Sequence, residues 1–278
     1  MKSFFLAIGF FTRLPVPKME FSEERYAKAM KLIPLVGLVI GAIIVLLALF
    51  INILGAPVLV RGAVLMCAYI FLTGGLHFDG LADTCDGVFS GRSRERSLEI
   101  MKDSRIGVFG VLSLVMSGLL YFALFTAAPP AALLVFPLCG RACCLISASL
   151  APYAREEGMG KMAGVAGGPA AVVASLVSLI GASFLTIPFL MIPFVNRASG
   201  AAEPYANNEN IWGAFECSAF LPVVSSLIAA AIAIIATVCI TSRFKKKLGG
   251  VTGDTFGAVI EVSGISYLLA FTVLNPAL

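Results

Sequence analysis

The sequence is dominated by uninterrupted apolar runs of about 20 residues, such as the one from Leu32 to Leu54. A run of this length matches a helix that crosses the hydrocarbon core of a bilayer. Strands of a membrane barrel would instead alternate apolar and polar residues over about 10 positions. Because backbone polar groups in lipid must be hydrogen-bonded within the spanning structure, runs without such alternation predict a bundle of transmembrane helices.

The low charge of the chain supports the same conclusion. Only 13% of the 278 residues are charged, whereas a soluble domain carries about 25% because its surface faces water. We therefore predict an all-α integral membrane protein, a polytopic helical bundle of about seven transmembrane helices. The bundle forms one domain covering residues 1–278. We expect it to lie in the lipid bilayer and not to bind nucleic acid. The predicted spans are Leu32–Leu54, Val58–Gly75, Ile106–Ala128, Ala131–Ala151, Ala170–Val195, Cys217–Thr241 and Phe256–Ala277.

The basic residues between these spans are distributed unevenly. With the N-terminus in the cytoplasm, the cytoplasmic segments 1–31, 76–105, 152–169 and 242–255 hold 17 of the 20 Lys and Arg residues. Cytoplasmic loops of membrane proteins carry such an excess of positive charge. The pattern predicts an interfacial cytoplasmic segment at 1–31, a cytoplasmic catalytic segment at 76–105 and an outer loop at 196–216.

Three aspartates mark the start of the 76–105 segment. Asp79, Asp83 and Asp86 are spaced i, i+4 and i+7, which places their carboxylates on one face if the segment is helical. Like charges repel, so a bound cation is expected. Oxygen ligands of this kind suit Mg²⁺, which accepts one or two carboxylates together with phosphate oxygens. Asp103 lies further along and completes the predicted set of metal ligands.

Cationic residues surround these aspartates and would neutralise a polyphosphate. The candidates for substrate binding in this segment are Arg92, Lys102, Asp103 and Arg105. His77 is the only histidine of the chain and is a candidate phosphate contact or proton acceptor, so the predicted catalytic residues are His77, Asp79, Asp83 and Asp86. For the neighbouring charges at 94–99, a solvated loop of mixed charge is an equally good interpretation.

A second polar cluster lies at 248–261, with the sequence LGGVTGDTFGAVIE. Thr252, Asp254 and Glu261 are its candidates for substrate binding, and we expect Asp254 to approach the Asp79–Asp86 group in the fold. Glu261 falls within a predicted span, where an ionisable residue is costly and is a functional candidate by default. The alternative is that Glu261 is the partner of an intramembrane arginine, Arg61 or Arg141.

Several of these segments resemble one known family. The run GGLHFDGLADTCDGVFSGRSRERSLEIMKDSRIG is similar to the signature region of the cobalamin synthases, also called adenosylcobinamide-GDP ribazoletransferases. The segments FTRLPVP, YAREEGMG and LGGVTGDTFGAVIE resemble the same family in the same order. The resemblance covers most of the chain, apart from residues 196–216.

The resemblance implies a Mg²⁺-dependent reaction that joins adenosylcobinamide-GDP to α-ribazole or its 5′-phosphate. The products would be adenosylcobalamin, or its 5′-phosphate, and GMP, formed when the ribose 3′-hydroxyl attacks the pyrophosphate. It also implies the cytoplasmic (inner) membrane of a bacterium or archaeon, with the active site at the cytoplasmic face. Which carboxylate binds metal, which acts as a base, and whether the chain forms a homo-oligomer stay open.

Two other functions are compatible with parts of the pattern. CDP-alcohol phosphotransferases use comparable carboxylates in a D-x2-D-G-x2-A-R motif, but this chain has D-x3-D-x2-D-G and lacks the A-R step. A small-solute transporter would place its site near the midplane between repeats. Here the acids crowd one interface and no internal repeat is visible, which favours the enzyme.

Overall fold

The computed structural model describes residues 2–20, 22–156, 166–187 and 211–275, with the backbone alone for 211–220. Within these residues the regular structure is helical apart from a single bridge between Tyr153 and Val251. The helices are α1 Lys2–Phe11, α2 Glu23–Met30, α3 Ile33–Ile53, α4 Val58–Thr73, α5 Leu76–Phe89, α6 Arg94–Ile100, α7 Val108–Ala127, α8 Pro130–Leu150, α9 Pro169–Phe184, α10 Ile211–Leu248 and α11 Gly253–Leu274.

Five of the described helices are long and apolar enough to cross a membrane: α3, α7, α8, α11 and the Leu221–Leu248 part of α10. The pair α4 and α5 passes the same test together but is bent by 87°. These findings confirm the polytopic helical class. The predicted span Ala170–Val195 begins as α9, and its last part lies outside the described residues. Helix α10 begins at Ile211, inside the segment predicted as an outer loop.

Helix α8 forms the centre of the bundle. Its side chains are buried from Ala131 to Ala148 with the single exception of Leu134, and it packs against α3, α9, α10 and α11. Close packing with α3 depends on Gly37 and Gly41, because a Cβ at either position would collide with the backbone of α8. Small residues at helix crossings are typical of membrane bundles, where packing supplies the driving force.

The corner between α4 and α5 sets the position of the acidic helix. Gly74 and Gly75 both adopt left-handed backbone conformations, with φ of 63° and 70°, which glycine adopts at little cost. The Gly74 N–H still bonds to the end of α4, so the helix is closed before the chain turns. As a result α5 runs nearly perpendicular to α4 and packs against α7 and α11.

The N-terminal segment covers this corner. Helix α1 is a short apolar helix that contacts α2 and α3. Ser22 caps α2, because its hydroxyl accepts a hydrogen bond from the Arg25 N–H at 3.3 Å. After α1, the Arg13 N–H donates to the Leu72 carbonyl at 2.8 Å. The start of the chain is thereby tied to the last turn of α4.

Candidate active site

The three aspartates lie on one helix, as their spacing predicted. Asp79, Asp83 and Asp86 all belong to α5, and their exposure falls along the helix. Asp79 is exposed, Asp83 is half-buried, and Asp86 is only 8% exposed. The carboxylates of Asp79 and Asp83 can therefore contact a ligand that binds from outside, whereas the carboxylate of Asp86 is enclosed by the protein.

Asp86 holds the beginning of α7. Its two carboxylate oxygens accept hydrogen bonds from the Gly107 N–H at 2.7 Å and the Gly110 N–H at 2.8 Å. These N–H groups belong to the first turn of α7, where no carbonyl of the helix can reach them. The negative charge also lies at the positive end of the helix dipole. The structure thus gives Asp86 a structural role, although its sequence spacing placed it among the metal ligands.

Replacing Asp86 with alanine is expected to lower the free energy of unfolding by about 2–4 kcal/mol, because two charge-assisted hydrogen bonds are lost. Asp86→Asn retains one acceptor oxygen and should lose about half as much. The midpoint of thermal unfolding of the purified protein in detergent measures both effects. Asp79→Ala is the matched control, since this exposed side chain should contribute little. Equal midpoints for Asp86→Ala and Asp79→Ala would contradict the assignment.

The distant cluster meets α5 through direct backbone packing. A Cβ at Gly80 would lie 2.7 Å from the Asp254 carbonyl oxygen, and one at Gly257 would lie 2.9 Å from the His77 carbonyl oxygen. Only glycine permits this separation, so α5 and the first turns of α11 touch at both positions. The structure therefore brings Asp254 beside the acidic face of α5, as expected from the sequence.

Asp254 is held in place by an arginine and by the cap of its own helix. Arg155 Nη2 lies 2.9 Å from the Asp254 Oδ2 atom, and both side chains are largely buried. Thr252 and Thr255 form a reciprocal capping box at the start of α11, and the Thr252 hydroxyl also donates to Asp254 at 3.4 Å. Thr252 is fully buried, so its contacts are those of a helix cap.

Arg155 is a functional candidate that the sequence reasoning did not single out. The Tyr153–Val251 bridge aligns its segment with the chain before α11, and hydrogen bonds of 2.8 Å join Ala154 and Pro152 to Val251. The Arg155 Nε atom is buried and has no hydrogen-bond partner within the described residues. The family-like segment YAREEGMG, which contains Arg155, was a signal in the sequence. It does not reveal that Arg155 pairs with Asp254.

The charges that act on Asp83 are mainly negative. Asp83 experiences the negative charges of Asp79, Asp254 and Asp86, against the positive charge of Arg155. No group of three or more His, Cys, Asp or Glu side chains in the described part of the chain is arranged to hold a metal ion. Mg²⁺ does not need such a cage, because it takes one or two carboxylates and completes its shell with water and phosphate oxygens. The hard oxygen donors and the excess negative charge fit this ion.

The candidates after α5 lie in an exposed stretch. Asp103 accepts hydrogen bonds from the side chain of Arg105, with the shortest at 2.7 Å. These hydrogen bonds lower the pKa of Asp103 to about 2, so it is ionised throughout the physiological range. The backbone carbonyl of Arg92 accepts a hydrogen bond from the Lys247 ammonium group at 2.7 Å. The guanidinium of Arg92 takes no part in this bond, and the residue is exposed. Lys102 and Arg155 both line a cavity of about 420 Å³.

Besides Asp86 and Thr252, two more of the predicted site residues, His77 and Glu261, are enclosed by protein. His77 is 3% exposed, and its Nε2 atom lies 3.3 Å from Nη2 of Arg141, which is itself fully buried. Glu261 is fully buried and accepts hydrogen bonds from the hydroxyl groups of Tyr69 at 3.1 Å and Tyr121 at 2.6 Å. We call these five side chains the inner polar cluster. The two tyrosines were missed because a phenol within an apolar run gives no distinctive sequence signal.

Comparison with known proteins assigns the chain to a family. A sequence profile for cobalamin-5-phosphate synthase matches residues 3–272. Relatives named adenosylcobinamide-GDP ribazoletransferase include those of Acetivibrio thermocellus, 38% identical with 98% of this chain and 97% of the relative covered, and Fusobacterium nucleatum, 34% identical with 99% and 98% covered. The relative of Klebsiella pneumoniae is 35% identical with 97% and 99% covered. No solved structure matches the chain significantly. The profile spans nearly the whole sequence and the identities exceed 30%, so the chain belongs to the cobalamin-5-phosphate synthase family.

Proposed function

We propose that this membrane enzyme joins adenosylcobinamide-GDP to α-ribazole or α-ribazole 5′-phosphate and releases GMP. The names of its full-length relatives support the substrates. The structural observation that carries the proposal is the acidic site at the junction of α5 and α11. There the carboxylates of Asp79 and Asp83 stand beside the Asp254–Arg155 ion pair, an arrangement suited to a metal-bound diphosphate.

In the proposed reaction, the ribose hydroxyl of the nucleoside attacks the phosphorus on the cobinamide side of the diphosphate. A new P–O bond forms, the bond from this phosphorus to the bridging oxygen breaks, and GMP leaves with that oxygen. The hydroxyl proton passes to a base or to water. Phosphoryl transfer of this kind depends mainly on positioning and charge stabilisation, which carboxylates, cations and a divalent ion can provide.

Asp79 and Asp83 are the residues proposed to hold Mg²⁺, because they are the accessible carboxylates of α5. The ion would neutralise charge on the diphosphate and on the departing GMP. Arg155 keeps Asp254 oriented at the edge of the same site. Lys102 and Arg92, on the exposed side of the following segment, are proposed to attract the anionic substrates.

The site is proposed to face the cytoplasm. Of the 20 Lys and Arg residues, 17 lie in the segments that share this face when the N-terminus is inside, which follows the positive-inside rule. The bacterial relatives support the cytoplasmic membrane as the location. Nucleotide substrates are present in the cytoplasm, so an active site on this face would be supplied directly.

A GMP-release assay with the purified protein in detergent tests the proposal. We expect GMP to appear only when adenosylcobinamide-GDP is supplied with α-ribazole or its 5′-phosphate, and to disappear with EDTA and return with excess Mg²⁺. Separate reactions with the two nucleosides decide which acceptor is preferred. Absence of GMP with both acceptors would reject the reaction, and undiminished GMP release in EDTA would reject the metal.

A further inference from the structure

A cavity of about 580 Å³ opens beside the acidic helix, between the end of α1 and the α4–α5 corner. Phe10, Thr12, Arg13, Thr73, Gly74 and Asp79 are among the residues that line it. Its size falls within the range of small-molecule sites, about 300–1,000 Å³. Because Asp79 belongs both to this cavity and to the proposed metal site, the cavity adjoins the proposed active site.

The backbone of Arg13 is fixed at the edge of this cavity. Its N–H donates to the Leu72 carbonyl at 2.8 Å, which lies in the last turn of α4 where carbonyls lack helical partners. The preceding hydroxyl, of Thr12, donates to the Ile8 carbonyl at 2.7 Å and accepts from the Leu14 N–H at 3.1 Å. Arg13 is therefore presented from an ordered turn that joins α1 to the α4–α5 corner.

The guanidinium of Arg13 lies against Gly74. A Cβ built on Gly74 would collide with the Nε atom of Arg13 and would lie 3.1 Å from its Cζ atom. Gly74 thus serves two purposes: it adopts the left-handed conformation that ends α4, and it leaves room for the arginine. Removing that room would displace the guanidinium, since the end of an arginine side chain is free to move.

Arg13 and Asp79 do not form an ion pair with each other. Within the described part of the chain, neither side chain makes an ion pair, and the guanidinium makes no hydrogen bond although it lines the same cavity as Asp79. An arginine has five N–H donors in a fork that matches phosphate oxygens. A cation and an unpaired carboxylate in one cavity suit a ligand that brings both phosphate oxygens and a bound divalent ion.

We propose that Arg13 binds the diphosphate of the nucleotide-activated substrate, and that the cavity between α1 and the α4–α5 corner is the phosphate-binding part of the active site. The inference rests on the proposed function, which supplies a diphosphate as the reacting group. Arg155, in contrast, is already paired with Asp254. The acceptor nucleoside does not contact Arg13 in this arrangement.

Kinetics with each substrate varied in turn test the assignment. Loss of a charge-assisted contact should raise the KM for adenosylcobinamide-GDP about ten- to hundred-fold in Arg13→Met, with the KM for α-ribazole unchanged. Arg13→Lys should fall between, because lysine keeps the charge but not the fork. Lys18→Met, which removes an exposed cation from the same segment, should leave both constants unchanged. An unaltered KM for adenosylcobinamide-GDP in Arg13→Met would overturn the proposal.

A pair of glycine variants tests the position of the guanidinium without removing it. Gly74→Ala should raise the same KM, because the added methyl group displaces Arg13. Gly55→Ala is the matched control: Gly55 has φ of 65°, close to the 63° of Gly74, but its Cβ would meet nothing within 4 Å. Both substitutions should therefore impose similar backbone strain. Equal KM values in the two variants would contradict a role for Arg13 in this position.

Binding of GDP with Mg²⁺, measured by the shift in thermal midpoint of the detergent-solubilised protein, is independent of turnover. GDP should stabilise the wild-type protein and Lys18→Met, and should fail to stabilise Arg13→Met. Equal stabilisation of Arg13→Met would overturn the proposal. If the wild-type protein bound GDP through Arg13 but released no GMP in the assay above, the proposed reaction would fail while the phosphate site stood.

Discussion

Replacing Asp83 with asparagine is expected to reduce turnover by about 100-fold or more without loss of folding. The substitution keeps the size of the side chain and removes the charge that would bind the metal, and losses of about 10–100-fold follow even when only the support of a metal ligand is altered. Asp79→Asn should behave in the same way. Initial rates of GMP release, measured at saturating concentrations of both substrates, give the effect.

The expected stability of these variants separates a ligand from a structural residue. Asp83 lies among the like charges of Asp79, Asp254 and Asp86, so neutralising it removes repulsion in the metal-free protein. The thermal midpoint of Asp83→Asn should therefore equal or exceed that of the wild type in EDTA. Asp86→Ala, in contrast, should lower it, because the carboxylate of Asp86 holds the first turn of α7.

Two further variants make the result specific. Glu24→Gln removes an exposed carboxylate that pairs with Lys28 on α2 and should keep full activity. Asp103→Asn decides whether this residue belongs to the metal set suggested by the sequence, or serves only its ion pair with Arg105. Excess Mg²⁺ should partly restore Asp79→Asn and Asp83→Asn. Wild-type turnover in both Asp79→Asn and Asp83→Asn would exclude the acidic face of α5 as the active site.

Five of the seven predicted spans and the helical acidic motif were accessible from the sequence because each depends on local chemistry. A continuous apolar run requires a helix in lipid, whatever the rest of the chain does. The spacing of Asp79, Asp83 and Asp86 predicted a shared helical face, and α5 confirms it. The cap of α2 by Ser22 is local in the same way, since a helix cap is decided within a few residues.

The roles of individual acids were less predictable, because they depend on contacts far along the chain. Asp86 has the same spacing signal as Asp83, yet its oxygens are engaged by Gly107 and Gly110 of α7. The 87° bend after α4 decides this arrangement, since it directs α5 towards α7 and α11. Two consecutive glycines permit such a bend, but their sequence does not specify its angle.

Glu261 illustrates the same point within the bundle. An ionisable residue in a predicted span indicated function or an arginine partner, and Arg61 and Arg141 were equally good candidates for that partner. In the structure Arg61 donates to the Ala128 carbonyl at 2.8 Å, whereas Arg141 belongs to the inner polar cluster and attracts Glu261. The packing of the helices, rather than the local sequence, determines which arginine lies near Glu261.

Replacing Arg141 with methionine is expected to lower the free energy of unfolding by about 3–5 kcal/mol, because the fully buried Glu261 loses the attraction of this nearby positive charge. Arg141 donates to the Pro137 carbonyl at 3.0 Å and contacts His77, so these contacts are lost as well. The loss should appear as a large fall in the midpoint of thermal unfolding in detergent. Activity should fall with it, because His77 lies on α5 two residues before Asp79.

A double-mutant cycle distinguishes charge compensation from ordinary packing. Glu261→Gln alone leaves the buried Arg141 charge uncompensated, although glutamine can still hydrogen-bond to Tyr69 and Tyr121. Combining Arg141→Met with Glu261→Gln removes both charges, so the double variant should be more stable than the two separate losses predict. Arg61→Met is the control, since this half-buried arginine contacts a backbone carbonyl and should show no coupling to Glu261. Additive losses for Arg141 and Glu261 would mean that the two charges do not compensate each other, and the inner polar cluster would then be held together by its hydrogen bonds alone.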